Sequence, residues 1–214
     1  VGLVISLLIS AYSFRLYRLS KENKFGYFSL AFILVFLGIF FKMFTSGVLY
    51  NAPLREGVAI VLQPALGQGL EFADLFYRAA FFLEMVTLLG AWLLIFFISQ
   101  KSRERLTKYY ELSQITLFVY LILLISVVSN FNFFVFYLTS VVILSMTVLN
   151  YYKSYLNKKN ENTFRVMLGF MFILFSNIFF VFVFLFESFY VIGEVLLLIG
   201  FLLLLYTYQN IVRK

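Results

Sequence analysis

The sequence predicts an all-α fold, a polytopic membrane bundle of seven transmembrane helices, and three observations point there. Composition is the first: the chain is 63% hydrophobic and 13% charged with a mean hydropathy of +0.98, whereas soluble domains run at roughly half apolar and about a quarter charged. The second is the length of the apolar runs. A helix needs about 20 residues to cross a bilayer, so 214 residues hold roughly six to eight such helices and their connections, with no soluble domain beside them. The whole of 1–214 is read as one transmembrane domain. The third is the placement of basic residues, which collect at every second connection.

Span one runs from Val1 to about Leu16 and is followed by the basic turn RLYRLSKENK. Those basic residues follow the run rather than precede it, so it does not read as a cleaved signal. The chain opens on Val1 rather than Met and this first run is short, so further residues are expected upstream. Span two covers about Gly26 to Tyr50. A long connection, Asn51 to about Ala73, holds Pro53, Pro64, Gly57, Gly67 and Gly69. Its apolar patch GVAIVL is too short to cross, and predicts an interfacial or re-entrant segment. Span three is about Leu75 to Gln100, closed by KSRERLTK. Tyr109 to Tyr152 is apolar for more than one crossing, with a turn at Ser129, Asn130 and Asn132 between spans four and five. Span six is about Phe164 to Phe186, and a turn ESFYVIGE leads into span seven, which ends in NIVRK.

Alternate connections hold Arg15, Arg18, Lys21 and Lys24, then Lys101, Arg103, Arg105 and Lys108, then Lys153, Lys158, Lys159 and Arg165, then Arg213 and Lys214. Tyrosines such as Tyr17, Tyr109, Tyr151, Tyr155 and Tyr208 crowd the same helix ends, where an amphipathic ring is favoured. Under the positive-inside rule that side is cytoplasmic, which predicts a cell-membrane protein with its N-terminus outside and C-terminus inside. The net charge of +7 then reflects topology and attraction to anionic membrane lipid. Spread over short loops, it does not suit nucleic acid.

Two helices carry the same pattern. Glu84 to Phe97, EMVTLLGAWLLIFF, recurs as Glu194 to Thr207, EVLLLIGFLLLLYT, and in each a glycine, Gly90 or Gly200, lies six residues after the glutamate. Tyr17 to Phe41 likewise lies on Tyr155 to Phe179, matching Lys21 with Lys159, Phe32 with Phe170, and Gly38 with Ser176. The pattern predicts a 3+1+3 parallel repeat: repeat A 1–100, a linker helix 109–130 and repeat B 133–211, one of the known transporter plans. Biased composition is the alternative account of the same matches.

Ionisable groups in hydrocarbon cost several kcal/mol unless paired, neutralised or wetted, which makes Lys42, Glu84 and Glu194 the candidate ligand or ion site. Lys42 and Glu84 fall at similar depth in the outer half, and an ion pair or polar cavity between their helices is expected. Thr87 shares a helical face with Glu84. The alternative is a Lys42 that snorkels outward and a protonated Glu84. Asp74 and Arg78, four residues apart, read as a helical pair at the outer mouth. Glu194 has no matching base, because Phe180 stands where the repeat would place a lysine. It is expected to be neutral beside Asn177 and Ser176, either as a proton donor and acceptor or simply bonded to Asn177.

Cysteine and histidine are absent, which removes thiol chemistry and the commonest metal ligand. No Ser/His/Asp set, metal-ligand spacing or phosphate loop stands in their place, so neither an enzyme nor a metal or cofactor site is expected. Gly67 and Gly69 suit a turn, and the thirty phenylalanines suit lipid-facing and packing surface. The passage AYSFRLYRLSKENKFGYFSLAFILVFLGIFF resembles the opening helices of uncharacterised prokaryotic seven-helix proteins and of the membrane sensor regions of histidine kinases. That resemblance implies a sensory module. The 3+1+3 layout is similar to that of the sugar-uniporter semi-repeat family, without its proline tetrad, and to seven-helix receptors, without a span-seven lysine to hold retinal. The expected function is a ligand-sensing or partner-binding module with a polar site in the outer half of the bilayer. A small-solute or proton-coupled transporter is the second reading, and a structural subunit of a membrane complex the third. Expected partners are lipid, an unidentified small molecule, and a membrane protein or second copy.

Overall fold

The computed structural model describes residues 1–51, 72–101 and 133–213, except for the side chains at 49–50, 72–77, 101 and 213. Within them the fold is all-helical: α1 (Gly2–Ser20), α2 (Asn23–Tyr50), α3 (Phe72–Lys101), α4 (Phe133–Lys158), α5 (Glu161–Val181) and α6 (Ser188–Arg213). All six are long and apolar enough to cross a bilayer, so this is a multi-pass membrane protein. Seven helices are thus not what the described residues contain. The expected linker helix 109–130, the turn at Ser129 to Asn132 and most of the connection after Asn51 lie outside them.

Two boundaries differ from expectation for one reason. Hydropathy carried span six to Phe186, but α5 ends at Val181 in a turn where Phe182 N–H donates to Phe179 and Phe180. The supposed turn ESFYVIGE is helical from Ser188 onward. An unbroken run of Phe and Val hides a chain reversal that no glycine or proline marks.

Each helix packs on its neighbours in sequence, and α6 closes the ring on α1. Contacts give the directions. Phe28 stacks on Tyr208 at 4.6 Å and Phe32 meets Phe201 at 6.1 Å, so α2 and α6 run oppositely. Phe81 meets Phe133 at 4.5 Å while Asn150 donates to Ser99 at 3.1 Å, so α3 and α4 advance together. The α1–α2 and α4–α5 turns, with Lys21, Lys24, Lys158 and Lys159, therefore share one end of the bundle with the close of α6. We call this the basic end.

The two turns are built alike. Lys21 and Lys159 are the non-glycine residues with positive φ among those described, at 52° and 46°. Their N–H groups donate to the carbonyls of Tyr17 and Tyr155, which satisfies orphan acceptors at the helix ends. Glu22 and Asn160 then start the next helices in extended conformation.

Toward the basic end the interior is a plug of rings. Phe28, Phe32, Phe170 and Phe201 are fully buried, Tyr208 nearly so, and Tyr151 stacks on Phe170 at 5.5 Å. Many other large apolar side chains face outward, among them Phe14, Phe40, Phe44 and Leu202, as a lipid solvent requires. Between α1 and α2 the Ser10 and Ser29 hydroxyls bond to each other at 2.9 Å.

Candidate functional site

Opposite the basic end, α2 brings Lys42 inward one turn past Gly38. Gly38 packs so closely on Thr87 and Leu88 of α3 that an added methyl would lie 3.0 Å from Thr87 Oγ1. Close helix approach of this kind is what small residues allow in membranes. The Lys42 ammonium donates to Glu194 Oε1 of α6 at 2.9 Å, across 152 residues of sequence. It also lies 5.5 Å from the ring centre of Phe180 and 5.2 Å from that of Tyr190, within cation–π range. Two helices, α5 and α6, therefore supply its counter-charge and its aromatic bed.

This pair stands between two spaces. One is a cleft of about 630 Å³ between the starts of α1 and α6 and the end of α2, lined by Gly2, Ile39, Lys42, Ser46, Tyr190 and Glu194 among others. Its size is that of a small-molecule site, and its walls are mainly apolar with a few polar groups, as such sites are. The other is an inner cavity of about 50 Å³ where Glu84 and Trp92 from α3, Tyr137 from α4, Asn177 and Phe180 from α5 meet Lys42. That exceeds the roughly 10–15 Å³ needed for one water. Lys42, Ile39, Leu197 and Phe201 line both spaces. The ring plug closes the inner one toward the basic end.

Glu84 is only 5% exposed. Among the described residues its carboxyl makes no hydrogen bond, and the charges acting on it are Lys42 and Glu194. Two carboxyls thus share one ammonium in a region of low polarity, and only Glu194 is in contact with it.

No family model, curated protein or solved structure matches this chain. The site is therefore read from its own geometry.

Several expectations are corrected. Lys42 neither snorkels outward nor makes its ion pair with Glu84, but the two line one cavity, which is the other form of that expectation. Glu194 does have a base, supplied by the other half of the bundle rather than by its own, and the ground for expecting it neutral beside Asn177 and Ser176 falls away. Asn177 donates to its own helix, to the Ile173 carbonyl at 2.8 Å, and lines the inner cavity with Glu84. Thr87 Oγ1 donates to the carbonyl of Leu83 at 2.7 Å and sits in the α2–α3 seam, lining neither space. Arg78 is exposed on α3 and lines neither space, while the side chain of Asp74 lies outside the described residues.

Tyr137, Tyr190 and Trp92 join the site without having been singled out from sequence, and Phe180, marked there only as the residue at the place matching Lys42, joins it too. For Tyr190 a signal existed: it lies four residues before Glu194, one helical turn on the same face. Tyr137 had none.

Proposed function

We propose that this chain is a seven-helix ligand-sensing module of the cell membrane, and that its site is the cleft beside Lys42 and Glu194. The observation that carries the reading is an ion pair joining the two halves of the bundle at the wall of a ligand-sized cleft. An occupant of the cleft that competes for either partner alters a contact between α2 and α6, which converts occupancy into a change of helix packing. Proton-coupled transport is the second reading, favoured by one feature, the buried Glu84 on a cavity beyond Lys42. For transport the ring plug would have to open.

The seventh span belongs to this proposal. Because α3 and α4 advance together, α3 ends at the opposite end of the bundle from where α4 begins, and a crossing at about 109–130 would join them. The matching Lys21 and Lys159 turns, with the matched burial of Phe32 and Phe170, support a 3+1+3 duplication. The clustered bases support a cytoplasmic basic end, with the N-terminus outside.

A cleft-filling substitution tests the site. Ser46→Trp should leave the unliganded protein folded and abolish any thermal shift that a small-molecule panel produces in the wild type. A ligand at 100 times its Kd stabilises by about 2.7 kcal/mol, well above detection. Shifts that persist unchanged in Ser46→Trp would place binding elsewhere. Orientation is separately testable, since the chain has no cysteine. A membrane-impermeant maleimide applied to intact cells should label Glu187→Cys and spare Lys159→Cys; the reverse pattern would invert the topology.

A further inference from the structure

The structure points to the chemical class of the cleft's ligand: we infer that it is a primary alkylammonium, bound on Glu194 in place of Lys42, with release of one proton from Glu84. This rests on the cleft being the binding site.

Lys42 is itself an alkylammonium on a four-carbon stem, and it shows what the place accepts. Its nitrogen is held by Glu194 at 2.9 Å and faces the rings of Tyr190 and Phe180 at 5.2 and 5.5 Å. A free amine entering the cleft meets the same carboxylate and the exposed ring of Tyr190, while the apolar walls of Ile39, Val195 and Leu198 take its hydrocarbon part.

Charge counting gives the proton. The titratable groups facing the inner cavity are Lys42 from α2, Glu84 from α3 and Tyr137 from α4; α5 offers Asn177, and α6 brings Glu194 and Tyr190 within electrostatic reach. With Lys42 on Glu194, the set is neutral only if Glu84 carries a proton, and an uncompensated charge here is costly. When an incoming ammonium takes Glu194, the Lys42 ammonium is displaced. It already lines the inner cavity, where the Glu84 carboxyl lacks a hydrogen bond among the described residues. Lys42 moves onto Glu84, whose O–H bond breaks, and the proton leaves to water. One cation enters and one proton departs, with no net change in charge.

Trp92 is the sole tryptophan and lines the inner cavity, so it reports the move. The full chain in phosphatidylcholine nanodiscs is titrated with n-octylammonium while Trp92 fluorescence and an indicator dye in weak buffer are followed, with n-octanol as the uncharged control. In the wild type we expect a saturable fluorescence change and one proton released per chain, neither being produced by octanol. Glu84→Gln leaves the displaced Lys42 without a counter-charge, so it should weaken octylammonium binding and, at concentrations that still saturate the fluorescence change, release no proton. Glu194→Gln should weaken binding at least tenfold.

Proton release that survives in Glu84→Gln, or wild-type affinity in Glu194→Gln, overturns the inference; if Glu194→Gln does not fold, the Glu84→Gln comparison decides alone. Failure of octylammonium together with a Ser46→Trp-sensitive response to some other compound sinks this inference and leaves the cleft reading standing. A phospholipid amine has the same chemistry as a free one. If nanodiscs of phosphatidylethanolamine alone bring the fluorescence to its saturated value, the ligand is the lipid headgroup; if they do not, it is a free amine.

Discussion

Glu84 and Glu194 occupy the same register of α3 and α6, six residues before a glycine. Glu84 is buried on the inner cavity with no hydrogen bond to its carboxyl among the described residues, whereas Glu194 is half-buried in the cleft and holds Lys42. The residues that decide this stand at matched places on α2 and α5: lysine at 42, phenylalanine at 180. In the bundle they lie against each other, the ammonium 5.5 Å from the ring centre. A single difference at matched positions thus gives two similar helices unlike roles.

Substitutions at matched positions sharpen the contrast. Glu194→Ala should be the most costly, about 1.5–3 kcal/mol, because it removes a charge-assisted hydrogen bond and Lys42 regains a counter-charge only by deprotonating Glu84. Glu84→Gln should leave the unfolding midpoint nearly unchanged in the same detergent titration, and equal losses at the two sites would erase the distinction. The paired glycines come next. A methyl on Gly200 would lie 2.8 Å from the Gly169 carbonyl oxygen and 2.7 Å from Ile173 Cγ1, whereas one on Gly90 would meet only Leu34 at 3.7 Å. Gly200→Ala should therefore cost about 1–2 kcal/mol by overpacking the α5–α6 seam, with Gly90→Ala close to neutral in thermal unfolding followed by circular dichroism. The smallest effect is expected where the halves agree. Lys21→Gly and Lys159→Gly should each stabilise by about 0.5–1 kcal/mol, since both relieve a left-handed backbone that glycine adopts freely. A gain at one turn alone would break their equivalence.

Much of this was legible in the sequence because lipid is a simple solvent. Crossing length and the placement of bases identify the six described helices and the end they share. The pattern of Glu84 and Glu194 with their glycines marked the helices that bear the site. What could not be read was which partners meet. Helical spacing relates residues on one helix, while Lys42 and Glu194 are brought together by the closing of α6 on α1, a choice made by many weak apolar contacts. The same blindness hid the end of α5, where hydropathy stays high while the backbone turns. Ser10 and Ser29, or Asn150 and Ser99, are likewise pairs across seams that no linear spacing announces.

The 152 residues between Lys42 and Glu194 also set an order of events during biosynthesis. A ribosome adding about 5–20 residues per second makes α2 many seconds before α6 exists, so the lysine reaches the membrane ahead of its permanent counter-ion. Glu84, on the next described helix to emerge, is the first of the site's two acids available to shelter it. The newborn bundle therefore has reason to pass through a stage in which the buried acid serves as temporary host, and the last helix to insert takes over the charge.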